Sequence, residues 1–292
     1  MSYYTRDLII NGTLIAEGTN LDNINFYSTS STGGGSLVLA DGSSGHNLQY
    51  CSFDNLGNEP GGTNSSNYDT GLYIADTSPT VDHCSFNNCG TGGGLHIRAR
   101  ATSLENLGPS NDLYRAYILN NTLDNTSLWP NIDTSGFEYV ITADQNLPAG
   151  ETLTIEPGIT INLSYYDRDL IIYGTLIAEG TPSENITIYS SSSLGGGSLV
   201  LADNSSGHRV LNCTFNNLGN EGGSSNASYY DTGLYIGDTS PLVDNCTFIN
   251  CGTGGVQHIR ARATALENFG SYNDVYRIYI LNNTLDLSLI HI

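Results

Sequence analysis

A cationic row occurs twice in the sequence, and its residue types are suited to ion pairing or, with a lowered pKa, to proton removal. The segment GGGLHIRARAT, residues 92–102, places His96, Arg98 and Arg100 at every second position, and it recurs as GGVQHIRARAT at residues 254–264. Alternate residues of a β-strand lie on one face, so the three side chains would form one polar row. Such a row is either an active face or a feature copied with a duplicated structural unit.

Three short runs align when each is read as a strand: LVLAD, LYIAD and LHIRA, which begin at Leu37, Leu72 and Leu95. These leucines would share one inward column, so the next residue of each run would point outward. Aspartates end the first two runs, within reach of the arginines that follow the third. The predicted outward patch is Tyr73, Asp76, His96, Arg98 and Arg100, and its copy is Tyr235, Asp238, His258, Arg260 and Arg262.

The cationic row belongs to a duplication that covers nearly the whole chain. Without a gap, most positions from Tyr3 to Asp124 recur from Tyr165 to Asp286 at a constant offset of 162 residues. Both ends fall inside a repeat, so we expect the chain to be an excerpt of a longer array. We expect one continuous solenoid over residues 1–292, with a first tandem unit at 1–162 (matched over 3–124), a partial second unit at 163–286 and an atypical tail at 287–292.

Shorter repeats inside the 162-residue unit predict strands rather than helices. Short runs with alternating apolar side chains are separated by clusters of Gly, Asn, Ser and Pro. In SPTVDHCSF and SPLVDNCTF the three-residue step from valine to cysteine breaks the alternation, which predicts a left-handed bend at His83 and at Asn245. Short strands, one-residue bends and looser loops are typical of a coil of parallel strands. We expect about seven coils per unit, each rising by about 4.8 Å.

Three segments resemble the repeats of a known fold: NLPAGETLTIEPGITINLS, LIIYGTLIAEGTPSENITIYS and SPLVDNCTFINCGTGG, which begin at Asn146, Leu170 and Ser240. They are similar to the right-handed parallel β-helix repeats of secreted and cell-surface proteins, the solenoid scaffold of the pectate-lyase type. The resemblance implies an all-β, right-handed parallel β-helix (β-solenoid). It leaves the function open, because this scaffold carries lyases, hydrolases, adhesins and structural stalks. For polysaccharide lyases, it implies an arginine or lysine base and acidic calcium ligands on a strand face.

Composition and charge exclude several classes of partner. The chain has nine arginines, no lysine and a formal charge of −20, so we expect no nucleic-acid binding. No run approaches the roughly 18 apolar residues of a membrane span, so we expect no membrane span. We expect no cofactor and no metal, and calcium stays open without a specific motif. An acidic surface suits solubility outside a cell, so we expect an extracellular or cell-surface location.

The six cysteines occur as three in each copy, without the spacing of a metal motif. Cys51 and Cys84 each precede a phenylalanine by two positions, so we expect them to stack in adjacent coils as small buried side chains. A disulfide is the alternative, and its candidate residues are Cys84, Cys89, Cys246 and Cys251.

Two sequons for N-linked glycosylation are present in both copies, Asn64 with Asn226 and Asn120 with Asn282. The first pair lies in the longest polar loop, which is residues 58–70 in the first copy. Accidental sequons in an asparagine-rich chain are the alternative interpretation.

Catalysis is the less favoured interpretation of the cationic row. An arginine base needs a pKa far below its ordinary value, and arginines beside aspartates form ion pairs instead. We therefore expect a non-enzymatic extracellular structural β-solenoid, a segment of a long repetitive surface stalk, adhesin or fibre-forming protein that assembles end to end through open solenoid edges. The alternative is a carbohydrate-binding or carbohydrate-cleaving, polysaccharide lyase-like β-helix protein whose saccharide ligand would bind the predicted patch.

Overall fold

All regular elements in the described part of the chain are β-strands, which confirms the all-β prediction. For residues 95–97, 127, 258–261, 277, 279 and 280 the backbone alone is described. A computed structural model describes residues 7–31, 33–57, 68, 70–90, 95–97, 105–108, 110–119, 123, 127–132, 136–163, 168–193, 195–219, 230, 232–252, 258–261, 270, 272–274 and 277–280.

The strands are short because Gly, Asn, Ser and Pro interrupt the alternating runs every few residues. The first copy contains β1 (Leu8–Ile10), β2 (Ile15–Glu17), β3 (Ile24–Tyr27), β4 (Leu37–Leu39), β5 (Asn47–Gln49), β6 (Cys51–Asp54), β7 (Leu72–Ile74), β8 (Thr80–Asp82), β9 (Ser85–Asn87), β10 (Leu95–Ile97) and β11 (Arg115–Ile118). Between the copies lie β12 (Ser127–Trp129), β13 (Glu138–Ile141), β14 (Gln145–Leu147), β15 (Thr152–Ile155) and β16 (Thr160–Leu163). The second copy contains β17 (Leu170–Ile172), β18 (Thr175–Glu179), β19 (Ile186–Tyr189), β20 (Leu199–Leu201), β21 (Arg209–Leu211), β22 (Cys213–Asn216), β23 (Leu234–Ile236), β24 (Leu242–Asp244), β25 (Thr247–Ile249), β26 (His258–Ala261) and β27 (Arg277–Ile280).

The first of two compact units consists of Met1–Leu119 with Pro130–Tyr139. Its strands form three sheets in the orders β1-β4-β7-β10-β11, β2-β5-β8 and β3-β6-β9. Neighbouring strands in each sheet come from successive coils, and the pairs with a described register are parallel. The chain therefore winds as a parallel β-solenoid, as the sequence predicts.

The second unit consists of Asn120–Trp129 with Val140–Ile292, and it repeats the same architecture. Its three sheets have the orders β14-β17-β20-β23-β26-β27, β12-β15-β18-β21-β24 and β16-β19-β22-β25. Here too the pairs with a described register are parallel. The strands β17–β19 are the copies of β1–β3, and in this unit β14–β16 pair with them on the preceding side.

Identical residue types stack from coil to coil in the interior of each unit. Phe53 lies between the rings of Phe26 and Phe86, with centroid distances of 5.1 and 4.8 Å. In the second unit Phe215 stacks on Phe248 at 4.7 Å. Burying one such side chain stabilises the fold by roughly 1.5–3 kcal/mol, so the stability of each coil depends on its neighbours.

The bends predicted from the broken alternation are confirmed. His83 and Asn245 have φ angles of 50° and 53°, in the left-handed region. Asparagine tolerates this region better than most residues because its short polar side chain bonds locally. The bend turns the chain between β8 and β9, and between β24 and β25, so that valine and cysteine both face inward.

A second set of left-handed asparagines follows the phenylalanine strands. Asn55 donates hydrogen bonds from Nδ2 to the carbonyl oxygens of Ser28 and Ser30 at 3.2 and 2.6 Å. Asn88, one coil later, donates from Nδ2 to Oδ1 of Asn55 at 3.0 Å. Asn55 satisfies turn carbonyls of the preceding coil and Asn88 binds the Asn55 side chain, so the two asparagines hold successive turns in register.

Candidate functional site

The strand that precedes the cationic row has the predicted register. Val38 pairs with Tyr73, and Tyr73 pairs with His96 of the next strand, so the backbones of the three residues are aligned across the first sheet. The inward column beside them contains Leu37 and Leu72, both with no exposed surface.

Val38 and Tyr73 are covered rather than presented to solvent. Val38 is 2 % exposed and Tyr73 is 6 % exposed, and both pack in a small outer cluster with Ala75. The ring of Tyr68, from the long loop before β7, meets the ring of Tyr73 edge-on at 4.6 Å. Strand β7 is thus buried on both faces, and the Tyr73 ring is a packing element instead of an accessible binding group.

The second copy has the same cover over Val200 and Tyr235. Tyr230 meets Tyr235 edge-on at 4.8 Å, and Tyr235 and Val200 are 6 % and 1 % exposed. Its neighbouring strand has a different register, because Tyr235 pairs with Arg260 and not with His258. The two copies of one motif therefore place different residues beside the tyrosine.

The aspartates one coil before the predicted patch, Asp41 and Asp203, bind the backbone of the patch aspartates, Asp76 and Asp238. Oδ1 of Asp41 accepts a hydrogen bond from the peptide N–H of Asp76 at 3.1 Å, and Oδ1 of Asp203 accepts one from Asp238 at 2.9 Å. Each contact links the ends of strands in consecutive coils, so part of the acceptor capacity of these carboxylates is used within the scaffold.

Several predicted site residues lie outside the described part of the chain. They are Arg98, Arg100 and Arg262 of the cationic rows and Asn64, Asn226, Asn120 and Asn282 of the sequons.

A buried histidine that the residue patterns did not single out links the first two coils. Nδ1 of His46 accepts a hydrogen bond from the peptide N–H of Leu14 at 3.1 Å, so Nε2 carries the proton of the neutral ring. Nε2 donates to Oγ of Ser43 at 2.7 Å, and Ser43 Oγ donates to the Ala40 carbonyl oxygen at 2.5 Å. The sequence signal was the recurrence of Ser-Ser-Gly-His in both copies.

The second copy repeats this arrangement. His208 Nδ1 accepts from the peptide N–H of Leu176 at 3.1 Å, and Nε2 lies 2.7 Å from Oγ of Ser205. Burial lowers the pKa of His208 to about 4, and it also lowers the pKa of His46. Neither serine is free to act as a nucleophile, because each hydroxyl proton is donated to a backbone carbonyl.

All six cysteines are free and buried. The structure brings Cys84 beside Cys51 of the preceding coil, close enough for each thiol to shift the pKa of the other. Contact with the Cys51 thiol and burial raise the pKa of Cys84, and contact with the Cys246 thiol and burial raise the pKa of Cys213. The stacking expected of Cys51 and Cys84 thus recurs with Cys213 and Cys246.

Cys89 occupies a different site. Its Sγ lies 3.4 Å from the carbonyl oxygens of Phe53 and of Asn87. Burial raises the pKa of Cys89 to about 11 and that of its copy, Cys251, to about 12. Neither thiol pairs with Cys84 or Cys246 across the intervening strand.

Within the described residues, no group of three or more His, Cys, Asp or Glu side chains is arranged to hold a metal ion. No described helix is long and apolar enough to cross a membrane.

The fold and its side-chain ladders define the class of the protein as a parallel β-solenoid built from tandem repeats. Searches for relatives found no match among protein-family models, curated proteins or solved structures.

Proposed function

We propose that the chain is a non-enzymatic structural segment of a long repetitive protein, displayed outside the cell as a stalk, adhesin or fibre, which assembles end to end. The observation that carries this proposal is that polar side chains in both copies form hydrogen bonds with the protein's own backbone. Asp41, His46 and Asn55 and their copies bind backbone groups of the adjacent coil. A scaffold that turns its polar side chains toward its own backbone is suited to spanning distance.

The first coil shows what an uncovered edge of this repeat exposes, because its sequence recurs in a second setting where a preceding coil is paired with it. Leu8 is 42 % exposed, whereas its copy Leu170, on which β14 is paired, has no exposed surface. Ile15 is 57 % exposed, whereas its copy Ile177 pairs with Thr154 of β15 and is half-buried. The edge of β1–β3 therefore has the chemistry of a surface that a further coil covers.

The backbone hydrogen-bonding groups of β1 also indicate that a further strand can pair with this edge. Leu8 donates its N–H to Ser36 and Ile10 accepts from Ala40, both in the following coil. Hydrogen-bonding directions alternate along a strand in a parallel ladder, so the N–H and C=O of Ile9 point to the open edge. In the second copy the corresponding edge is filled, since Tyr173 donates to Leu147 at 2.9 Å.

The test is a proline at the open edge. Ile9→Pro removes an edge donor without breaking the β1–β4 hydrogen bonds, and proline on an edge blocks strand addition. We expect wild type to form filaments by electron microscopy and to show concentration-dependent mass by sedimentation, and we expect Ile9→Pro to remain monomeric with an unchanged circular dichroism spectrum.

Leu21→Glu is the matched control, because Leu21 is 88 % exposed in a turn away from the strand edge. It should assemble like wild type. A wild-type chain that stays monomeric at all concentrations would contradict the assembly part of the proposal. Depolymerisation of an acidic polysaccharide, lost on Arg98→Ala with Arg260→Ala, would favour the carbohydrate-cleaving alternative instead.

A further inference from the structure

Four of the six cysteines occupy one repeated backbone position. Cys51, Cys84, Cys213 and Cys246 each follow directly after a left-handed residue, with φ angles of 48°, 50°, 49° and 53° at the preceding positions. Each cysteine then begins the segment that leads two residues later to a stacked phenylalanine. The four thiols therefore enter the core with the same backbone geometry.

The register brings these cysteines together in pairs. Ser52 pairs with Ser85 and Phe53 with Phe86, which places Cys51 directly opposite Cys84. Thr214 pairs with Thr247, which places Cys213 opposite Cys246. Opposite residues in neighbouring strands have Cα atoms about 4.8 Å apart, inside the roughly 4.4–6.8 Å that a disulfide spans.

The side chains agree with this pairing. Sγ of Cys84 lies 3.5 Å from the carbonyl oxygen of Leu48, a residue of the preceding coil close in sequence to Cys51. The same relation recurs between Sγ of Cys246 and the carbonyl oxygen of Val210, at 3.3 Å. Both later thiols thus lean toward the coil that carries their partner.

Cys89 has no such partner position in the adjacent coil. The strand β9 separates it from Cys84, and three extended residues alone span about 10 Å. A Cys84–Cys89 disulfide would require that strand to break. Cys89 and its copy Cys251 therefore serve as internal controls for any oxidation of the other four thiols.

We propose that Cys51 with Cys84, and Cys213 with Cys246, are sites of disulfide formation that join consecutive coils when the chain folds in the presence of a small-molecule disulfide such as oxidised glutathione. One thiolate attacks a glutathione sulfur, forming a mixed disulfide and releasing one glutathione thiolate. The second cysteine loses its proton to solvent, attacks the protein sulfur of that mixed disulfide and releases the second glutathione. Formation of each protein disulfide thus removes one hydrogen from each of two cysteine thiols, and one glutathione disulfide is reduced to two thiols.

Burial sets when the reaction takes place. Cys51 has no exposed surface and Cys84 is 1 % exposed, so an external oxidant reaches them during folding and not in the finished coil. The same burial protects a formed bond, because a reductant must reach a sulfur atom to open it. We expect the bonds to resist reductant until the chain is denatured.

The experiment is refolding of the denatured, reduced full chain with either a glutathione redox pair or reductant alone. After alkylation in denaturant, the reduced sample should carry six labels, one for each cysteine. The oxidised sample should carry two labels, on Cys89 and Cys251, and peptide mapping should find Cys51 linked to Cys84 and Cys213 linked to Cys246. Six labels after oxidative refolding, or links that include Cys89 or Cys251, would overturn the proposal.

Two variants keep the result interpretable. Cys84→Ser should leave three labels, on Cys51, Cys89 and Cys251, while the link in the second copy persists. Cys89→Ser should reduce the label count of the oxidised sample to one without changing either link. A Cys84→Ser chain in which Cys51 links to Cys89 would show that proximity in the native coil does not direct the pairing.

Discussion

Nδ1 of His208 accepts the peptide N–H of Leu176, 32 residues earlier, at 3.1 Å. This contact joins two consecutive coils through a ring that stays neutral. A protonated ring would direct an N–H at another N–H inside the core, so the contact is incompatible with the charged state.

The first prediction concerns acid stability. The pKa of His208 is about 4 in the fold because of burial, against about 6.5 in an unfolded chain. Between these values the unfolded state binds a proton that the folded state does not, so the free energy of unfolding falls as the pH falls from 6.5 towards 4. The loss should be about 3 kcal/mol in total. Urea unfolding at a series of pH values measures it.

Many carboxylates also titrate near pH 4, so the histidine contribution is read as a difference between variants. His208→Asn keeps an acceptor near the Nδ1 position and should flatten the pH dependence between 6.5 and 4. Ser206→Ala changes an exposed neighbouring residue that carries no titratable group, and its pH dependence should match that of wild type. Equal slopes for wild type and His208→Asn would contradict the assignment.

The second prediction concerns the serine that accepts from this ring. Ser205→Ala leaves the buried Nε2–H of His208 without its acceptor, which should cost about 1–3 kcal/mol of unfolding free energy at pH 7. Ser206→Ala, at the exposed neighbouring position, should change stability by less than about 0.5 kcal/mol. Denaturant midpoints of the two variants at one pH decide the comparison.

The third prediction concerns the phenylalanine stack. Phe53 has no exposed surface and contacts a ring on each side, so Phe53→Ala should destabilise the fold by about 3–5 kcal/mol. Phe26 is half-buried at the end of the same stack, and Phe26→Ala should cost less. Equal losses in chemical denaturation would mean that the stack does not transmit stability between coils.

The fourth prediction concerns the left-handed bend. Asn245→Gly should be nearly neutral, because glycine adopts a φ of 53° without a steric penalty. Asn245→Val should cost about 1–2 kcal/mol or more, because a branched side chain clashes with the backbone in this region. Thermal unfolding of the two variants tests the expected order.

The sequence predicted the features that follow from local alternation. The column of Leu37 and Leu72 and the left-handed residues at His83 and Asn245 were all predicted, since a strand has a period of two and a three-residue step requires a bend. The stacking of Cys51 on Cys84 followed from the same alignment.

The features that the sequence did not predict depend on distant residues. Tyr73 was expected to face outward, which it does, but its burial depends on Tyr68 from a polar loop. The role of His46 depends on a peptide group 32 residues earlier. The pairing of Tyr235 with Arg260 differs from that of Tyr73 with His96, although the motif is the same, so identical residues do not dictate one register.

The phenylalanine stack also constrains how the gene can change in length. Ser52 pairs with Ser85, so an in-frame loss of residues 52–84 would join Cys51 to Ser85 and remove one turn while phenylalanine still stacks on phenylalanine. A loss of one residue more or fewer at this junction would place the phenylalanine of the joined strand on the opposite face. Insertions and deletions that cut through strands should therefore be tolerated best when they add or remove a whole turn. Related chains would then differ in the number of turns they contain.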